Sequence, residues 1–365
     1  MGIEIEQSST SSWRGRQGEG KKIVMMAINT NTVSGPERRS CRLIDFHMVD
    51  LERNEISRCC FPSLIMIVAT FHILSLDEFI YIVGGVTTYI AEERPFNFHG
   101  LQSQSPVSNQ TLYFGGSRID SSDEAAVWCP APVFINDQAL SSAYVSFLGK
   151  IYSFGCACLN LEVLDPAAAV GYPNPICPLS IPEDLVGCSV SAPVLPDPSK
   201  NRILVRLHGG QLSSPSLYAF TPDIDGNGTW TLLIRDFSFW ARTLALVDDV
   251  IYFHSHKFPS LLRAFHIAEE KWLEVCWDSC FKGNVNFNVN RKHFDALLHL
   301  GGNILCFAAW THIYPEPIVY PDSLSVEFYK FKVLQDPDGT IRFHACDSYS
   351  YELPENEIVL SFISA

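Results

Sequence analysis

The sequence predicts an all-β chain folded as a six-bladed β-propeller of four-stranded blades, closed by pairing of its last strand with its first ones. Three observations predict it: an apolar hairpin that recurs along the chain, a second pair of strands after each hairpin, and strand-like segments at the two termini that complete one another. Hydrophobic residues make up 47% of the chain, aromatic residues 12% and charged residues only 18%, a globular composition that leans toward β structure. A unit of short strands repeated every ~40–50 residues is the mark of a propeller blade.

The recurring hairpin is an apolar run, a tight turn and a second apolar run. It spans Ile65 to Gly85 around Leu76-Asp77-Glu78, Tyr144 to Gly155 around Leu148-Gly149-Lys150, and Ser189 to Gly210 around Asp197 to Asn201. It returns from Thr243 to His254 around Asp248-Asp249 and from Phe294 to Ala308 around Gly301-Gly302-Asn303. Gly, Asp and Asn stand where hairpin turns need them. With Tyr81, Tyr152, Leu204, Tyr252 and Leu305 as equivalent points, the steps are 71, 52, 48 and 53 residues. The long first step contains Val86 to Gln110, rich in Ser, Gln and aromatics, which is expected to be an inserted loop.

Third and fourth strands are expected at Leu112 to Ile119 and Ala126 to Trp128, Leu217 to Phe220 and Thr229 to Ile234, Leu261 to Ile267 and Lys271 to Val275, and Val326 to Val333 and Thr340 to Ala345. Lys22 to Ile28, Cys41 to Val49 and Glu55 to Cys60 read as strands two to four of a blade without its first strand; Glu357 to Ala365 supplies that strand. Such a closure would remove the open sheet edges that invite aggregation. Residues 1–21 are expected to be a disordered polar tail, and residues 22–365 a single propeller domain.

Ile80-Tyr81-Ile82-Val83-Gly84-Gly85 and Leu207-His208-Gly209-Gly210 resemble the first half of a kelch repeat. Tyr113, Tyr218 and Phe265 resemble its middle, and Trp128, Trp230 and Trp272 its end. The chain departs from the pattern at Gly155-Cys156, His254-Ser255 and Ala308-Ala309, and two complete units lack the Trp. It thus resembles a degenerate member of the galactose oxidase/kelch superfamily, of the plant kelch type without an F-box. Glycines there let strands pack closely, and Trp fills the space between blades. A WD-repeat reading finds a single Trp277-Asp278 and no Gly-His pair to begin each unit.

A net charge of −14, with no basic run longer than Lys21-Lys22 or Arg38-Arg39, excludes nucleic acid as an expected partner. The apolar stretch from Cys59 to Leu76 holds Pro62 and His72 and stops at Asp77-Glu78, so two buried strands explain it better than a membrane span. The first twenty residues carry neither the apolar core of a secretory signal nor an Arg-rich amphipathic pattern, so a cytoplasmic or nuclear location is expected. The twelve cysteines form no CxxC and are expected to be reduced thiols, mostly buried as small apolar side chains.

The motifs that could carry chemistry each break. Asp223-Ile-Asp225-Gly-Asn227-Gly228 opens like a calcium loop, but Ile234 stands where a bidentate Glu is needed, and Asp336-Pro-Asp338-Gly339 repeats the turn in another unit. The nitrile-specifier kelch proteins hold iron through Glu, Asp and His spaced by fours; Glu274 and Asp278 are followed here by Lys282. Ile181 to Val186 resembles the start of an F-box, but Gly187 to Pro193 cannot continue it as a helix. Cys156-Ala-Cys158 would put two thiols on one strand face, without the two-plus-two pattern of structural zinc. Phosphate loops, nucleophile elbows and zinc-binding His pairs are missing from the sequence. No catalytic residue, metal site or cofactor is therefore expected.

What remains is a protein-interaction scaffold, binding a protein partner through loops on one face. In kelch-type adaptors the loops after the second strand share that face with the connections between blades. The resemblance and the interface preference for aromatics and Arg select Arg94, Phe96, Phe98 and His99 on the insertion, Arg206 with His208, His254 with His256, and Trp310 with His312. The alternative expectation is a galactose-oxidase-like or metal-dependent enzyme, using His, Tyr, Cys or carboxylates that converge at the central mouth.

Overall fold

The computed structural model describes residues 23–29, 41–58, 64–76, 79–90, 111–114, 128–131, 142–166, 176–223, 228–239, 241, 244–254, 262–277, 293–313, 323–354 and 357–364. The expected tail at 1–21 and the part of the insertion beyond Ile90 lie outside them. Among the described residues, regular structure is almost entirely β, in a propeller-like arrangement of four-stranded sheets. No helix among them is long and apolar enough to cross a membrane.

Sheet A begins with β1 (Ile23–Asn29), β2 (Cys41–Asp50) and β3 (Glu55–Arg58). It continues with β4 (Leu64–Leu76), β5 (Phe79–Ile90), β6 (Thr111–Phe114) and β7 (Trp128–Ala131). Sheet B is β8 (Ser142–Phe147), β9 (Lys150–Gly155), β10 (Leu161–Leu164) and β11 (Ile176–Leu179). Sheet C is β12 (Cys188–Asp197), β13 (Arg202–Gly209), β14 (Ser216–Pro222) and β15 (Gly228–Ile234). Sheet D is β16 (Leu244–Val247), β17 (Val250–His254), β18 (Leu262–His266) and β19 (Lys271–Leu273). Sheet E collects β20 (Val275–Trp277), β21 (His293–Gly301), β22 (Ile304–Ile313), β23 (Ser323–Gln335) and β24 (Ile341–Pro354). The last strand, β25 (Glu357–Ser364), returns to sheet A and pairs antiparallel with β1, from Ile23 opposite Ser364 to Asn29 opposite Glu357.

Among the described residues, hydrogen bonding therefore gives five sheets, where six separate ones were expected. The difference has a local cause: Cys41 to Ile44 of β2 pair with Leu64 to Ile67 of β4, so the two units expected at the N-terminal end join into one eight-stranded sheet. Three smaller corrections follow the same ladders. The first five residues of the expected insertion belong to β5, where Tyr89 stands opposite Ile65. The fourth strand expected to end at Trp128 runs on to Ala131, its expected start at Ala126 lying outside the described residues. Val275 leaves sheet D altogether, because β20 pairs parallel with the outer edge of β24, with Ile341 N–H bonded to Glu274 O at 2.8 Å.

Every inner sheet is apolar on both faces, which alternation along a strand makes available. In β13, Ile203, Val205 and Leu207 pack against Val145, Phe154 and Leu161 of sheet B, while Leu204 packs with Ile251 and Phe253 of sheet D. Tyr252 and Ala264 of sheet D meet Phe307, Phe331 and Phe343 of sheet E. Tyr81 and Val83 of sheet A meet Tyr144, Ile151 and Leu164 of sheet B. Ile23, Met25 and Val49 meet Cys306, Val326 and Phe328 of sheet E, and the Tyr351 hydroxyl donates to Asn54 Oδ1 at 3.1 Å beside them.

The β14–β15 hairpin shows why one glycine is required. Pro222 stands opposite Gly228, and the ring of Phe220 lies across the bare Cα of Gly228, where a Cβ would fall 1.9 Å from a ring carbon. Phe220 is completely buried and meets Phe154 and Trp230 with centroid separations of 6.3 and 5.1 Å. Gly228→Ala must therefore displace a core ring. It is expected to destabilise the fold by about 1–3 kcal/mol; a denaturant midpoint equal to that of the parent would disprove this packing.

Candidate functional site

The ends of the second strands in sheets B and C open into loops that are bonded to one another. Gly155 N–H closes the β9–β10 turn on Asn160 O at 2.8 Å. The turn is then held to the start of β12 by Leu159 N–H to Cys188 O at 2.6 Å, Val190 N–H to Cys156 O at 3.1 Å, and Ser189 Oγ–H to Ala157 O at 3.1 Å. Cys156 and Cys158 thus sit in a bend past the end of β9, where the sequence pattern put them on a strand.

Gly209 and Gly210 both have positive φ, 75° and 58°, a conformation open to glycine at little cost. Gly210 also presses on the neighbouring connection: a Cβ there would lie 2.9 Å from Cys188 N and 3.0 Å from Cys188 Sγ. The double glycine of β13 is therefore used for a turn and for a close approach between loops.

Arg206 extends this layer to sheet D. Its Nε donates to Phe237 O at 3.0 Å and its Nη2 to Ser238 O at 3.3 Å, both in the connection between β15 and β16. Nη1 donates to Ser191 Oγ at 2.6 Å, and the same Oγ lies 3.3 Å from His208 Nδ1. Partial burial lowers the pKa of the guanidinium. Each of its three nitrogens donates to an oxygen of this chain, so it acts as a clasp between sheets. Phe237 and the adjacent Phe239 anchor the connection from below, against Phe265 and Phe253.

The other selected residues separate. His254 is 4% exposed and its ring stands perpendicular to that of Phe307 at 5.7 Å, inside the seam between sheets D and E. Trp310 is half-buried over the seam between sheets E and A. His312 occupies β22 opposite Leu324. Arg94, Phe96, Phe98, His99 and His256 lie outside the described residues. Among the described residues, the structure brings the selected pair Arg206 and His208 together, through Ser191.

Other surface features were not selected from the sequence. Val186, 59% exposed, follows a one-turn 3-10 helix at Glu183–Leu185, the segment that resembles an F-box start. Glu183, Asp184 and Gln211 are exposed around it. No periodicity marks Val186, because its exposure depends on Leu185 turning into the core beneath it. On the edge of sheet D, the guanidinium of Arg263 lies 4.9 Å above the ring of Trp272, which is 44% exposed. No group of three or more His, Cys, Asp or Glu side chains placed to hold a metal occurs among the described residues. The calcium-like segment is the β14–β15 turn, with residues 224–227 outside the described part.

The opposite end of sheets C and D carries a second tie. Arg202 Nε meets Asp197 Oδ2 at 2.7 Å, its Nη2 meets Asp249 Oδ1 at 3.0 Å, and Lys200 Nζ meets Asp249 Oδ2 at 2.6 Å. Asp197 is almost wholly buried and also accepts from Ser199 Oγ at 2.6 Å. The ions here are paired and hydrogen-bonded, as buried charges must be.

No family model matches the chain, and no curated protein matches it. Among solved structures it is similar to a Desulfotomaculum acetoxidans protein of unknown function, at 11% identity and a TM-score of 0.37, over 92% of this chain and 81% of that one. It is similar to Citrobacter koseri AztD at 8% identity and a TM-score of 0.33, over 95% and 98% of the two chains. It is also similar to the S. cerevisiae complex of dbp5 with nup159, gle1, IP6 and ADP, at 10% identity and a TM-score of 0.31, covering 76% of this chain and 62% of that one. Likenesses of this size assign neither a family nor an activity.

Arg206→Ala would leave the carbonyls of Phe237 and Ser238 without their charged donor. A loss of about 1.5–3 kcal/mol is expected, with faster amide exchange over residues 235–239 than in the parent. Unchanged exchange there would show that the clasp does not hold this connection.

Proposed function

We propose that the chain is a protein-interaction scaffold of the plant kelch type, a six-bladed propeller that binds a protein partner on the loop layer at the ends of its second strands. One observation carries the reading of the face: the loops of sheets B, C and D are tied by the Leu159–Cys188 and Arg206–Phe237 hydrogen bonds, with Gly210 packed closely on Cys188 between them. A surface assembled this way is pre-organised, which lowers the entropy cost of binding. Val186 and the acidic pair beside it are exposed.

The six-blade count is supported by the order of first strands. Divided at the β2–β4 pairing, sheet A becomes two units of four, one beginning with β25 and one with β4. First strands then lie side by side in the succession β25, β4, β8, β12, β16, β21, with β21 again beside β25. The double glycine at Gly209-Gly210, with its close approach to Cys188, agrees with the kelch resemblance.

Two experiments test this. Removing residues 357–365 should strip β1 of one of its two partner strands and lower the denaturation midpoint of the whole chain in one transition; an unchanged midpoint defeats the closed-ring reading. A photo-crosslinking side chain at position 186 should capture a protein from native extract that the same group at position 148, in the opposite turn, does not. Equal capture at both positions, or a stoichiometric transition metal in the purified protein, would replace the scaffold reading with another.

A further inference from the structure

We infer that Arg263 is a carboxylate-binding residue at the loop end of sheet D, held in place by Phe239 and Trp272 to receive an Asp or Glu side chain of a protein partner. The inference deepens the loop-layer reading and rests on it only for the carboxylate being a protein's. Strand β18 starts at the loop end of its sheet, where Leu262 stands opposite His254, the last residue of β17, and Arg263 stands opposite Phe253. Alternation puts Arg263 on the same face of β18 as Phe265, the face turned toward sheet C. The connection between β15 and β16 reaches this place. Arg206 holds that connection by the carbonyls of Phe237 and Ser238, and Phe239 follows with its ring 4.3 Å from that of Phe253.

Trp272, on the outermost strand of sheet D, stands at 83° to Phe239 with ring centroids 5.2 Å apart. Phe253 and Phe265 brace it at 5.4 and 5.0 Å. Two rings at nearly a right angle make a corner, and the guanidinium of Arg263 lies against both, its carbon 4.9 Å from the Trp272 centroid and 5.6 Å from the Phe239 centroid. Both separations fall within the ~6 Å over which a ring face attracts a cation. That attraction acts on the charge and leaves the fork of N–H donors available. Arg53, Arg202, Arg206 and Arg342 each face oxygen atoms of this chain. Arg263, among the described residues, meets the two rings and no hydrogen-bond acceptor, and it is exposed. Glu274, just beyond the last paired residue of β19, forms no ion pair with it.

A planar fork of donors matches the two oxygens of a carboxylate. A phosphoryl group offers similar oxygens but carries about −1.5 to −2 charges, which calls for a cluster of cations. Here Lys271, the next cation along the chain, is already paired with Glu269 at 2.5 Å, so Arg263 offers a single positive charge. The net charge of −14 weighs further against a dianion. For one carboxylate the local pair decides, because exposed charges more than about 8 Å away are largely screened at physiological ionic strength. Trp272, 44% exposed, adds flat apolar surface beside the fork, suited to an apolar residue next to the partner's acid. An Arg already held in position loses less freedom on binding than a mobile one.

The test titrates the full chain, labelled with heavy nitrogen, with acetyl-Asp-Phe-amide, with acetyl-Asn-Phe-amide and with inorganic phosphate. Nuclear magnetic resonance follows the Arg Nε–H and Trp indole N–H signals; the Arg263 signal is the one that disappears in Arg263→Lys. It should move saturably with the aspartyl dipeptide, and the asparaginyl dipeptide should bind about tenfold more weakly. Read from the Trp272 indole, Arg263→Lys, which keeps the charge and loses the fork, should weaken aspartyl binding about tenfold. Phe239→Leu, which keeps an apolar side chain in the connection and removes one ring, should weaken it about threefold. Equal binding of the two dipeptides, an Arg263→Lys affinity equal to the parent's, tighter binding of phosphate than of the aspartyl dipeptide, or an Arg263 signal that does not move would each overturn the inference. None of these outcomes alters capture at position 186, and loss of that capture with the Arg263 titration intact would strike the scaffold reading alone.

Discussion

A sheet that is apolar on both faces has to be covered twice, and this requirement organises the molecule. Sheet C shows it within two adjacent residues, since Ile203 enters the core shared with sheet B and Leu204 the core shared with sheet D. Fully burying a Leu, Ile or Phe side chain contributes about 1.5–3 kcal/mol, against about 0–1 kcal/mol for an exposed ion pair. Seams filled by Phe154, Phe220, Phe253, Phe307 and Phe331 therefore outweigh the surface charges, and polar ties work at the ends of the seams.

Those ties set the geometry that packing leaves free. Apolar faces can slide past one another at little cost, because the hydrophobic effect has no direction. Sheets C and D are fixed at both ends: Arg202 with Asp249 at the first-strand turns, and Arg206 with the Phe237 and Ser238 carbonyls at the loop layer. Arginine suits both positions, since its planar fork presents several donors in one fixed arrangement. The loops between these sheets are consequently held by the same contacts that hold the sheets.

The hairpins were legible because each combines alternating apolar residues with a turn that the chain can make. Val250 to His254 after Asp248-Asp249 is such a case, and Asp248 has the positive φ of 51° that the turn demands. Leu161–Leu164 and Ile176–Leu179 were not legible: both have four residues, and Pro178 breaks the second as a strand signal. Val275 read as the end of a strand in its own unit, because nothing in Val275–Trp277 reveals a parallel partner in the next sheet. Among the site residues, Arg206 and His208 could be grouped by spacing alone, whereas Ser191, which joins them, has no motif around it.

The sequence by itself determined the recurrent antiparallel hairpins and the meeting of the two chain ends, since periodicity and turn chemistry act over a few residues and the terminal segments are complementary in length and pattern. Only the tertiary structure decided that β2 pairs with β4, that β20 crosses to sheet E, and that Arg206 is spent on a neighbouring backbone while Val186 faces water. These depend on which sheet edge and which carbonyl stand nearby after the sheets have stacked. Contacts of that kind link residues far apart in the chain, and no local pattern encodes them.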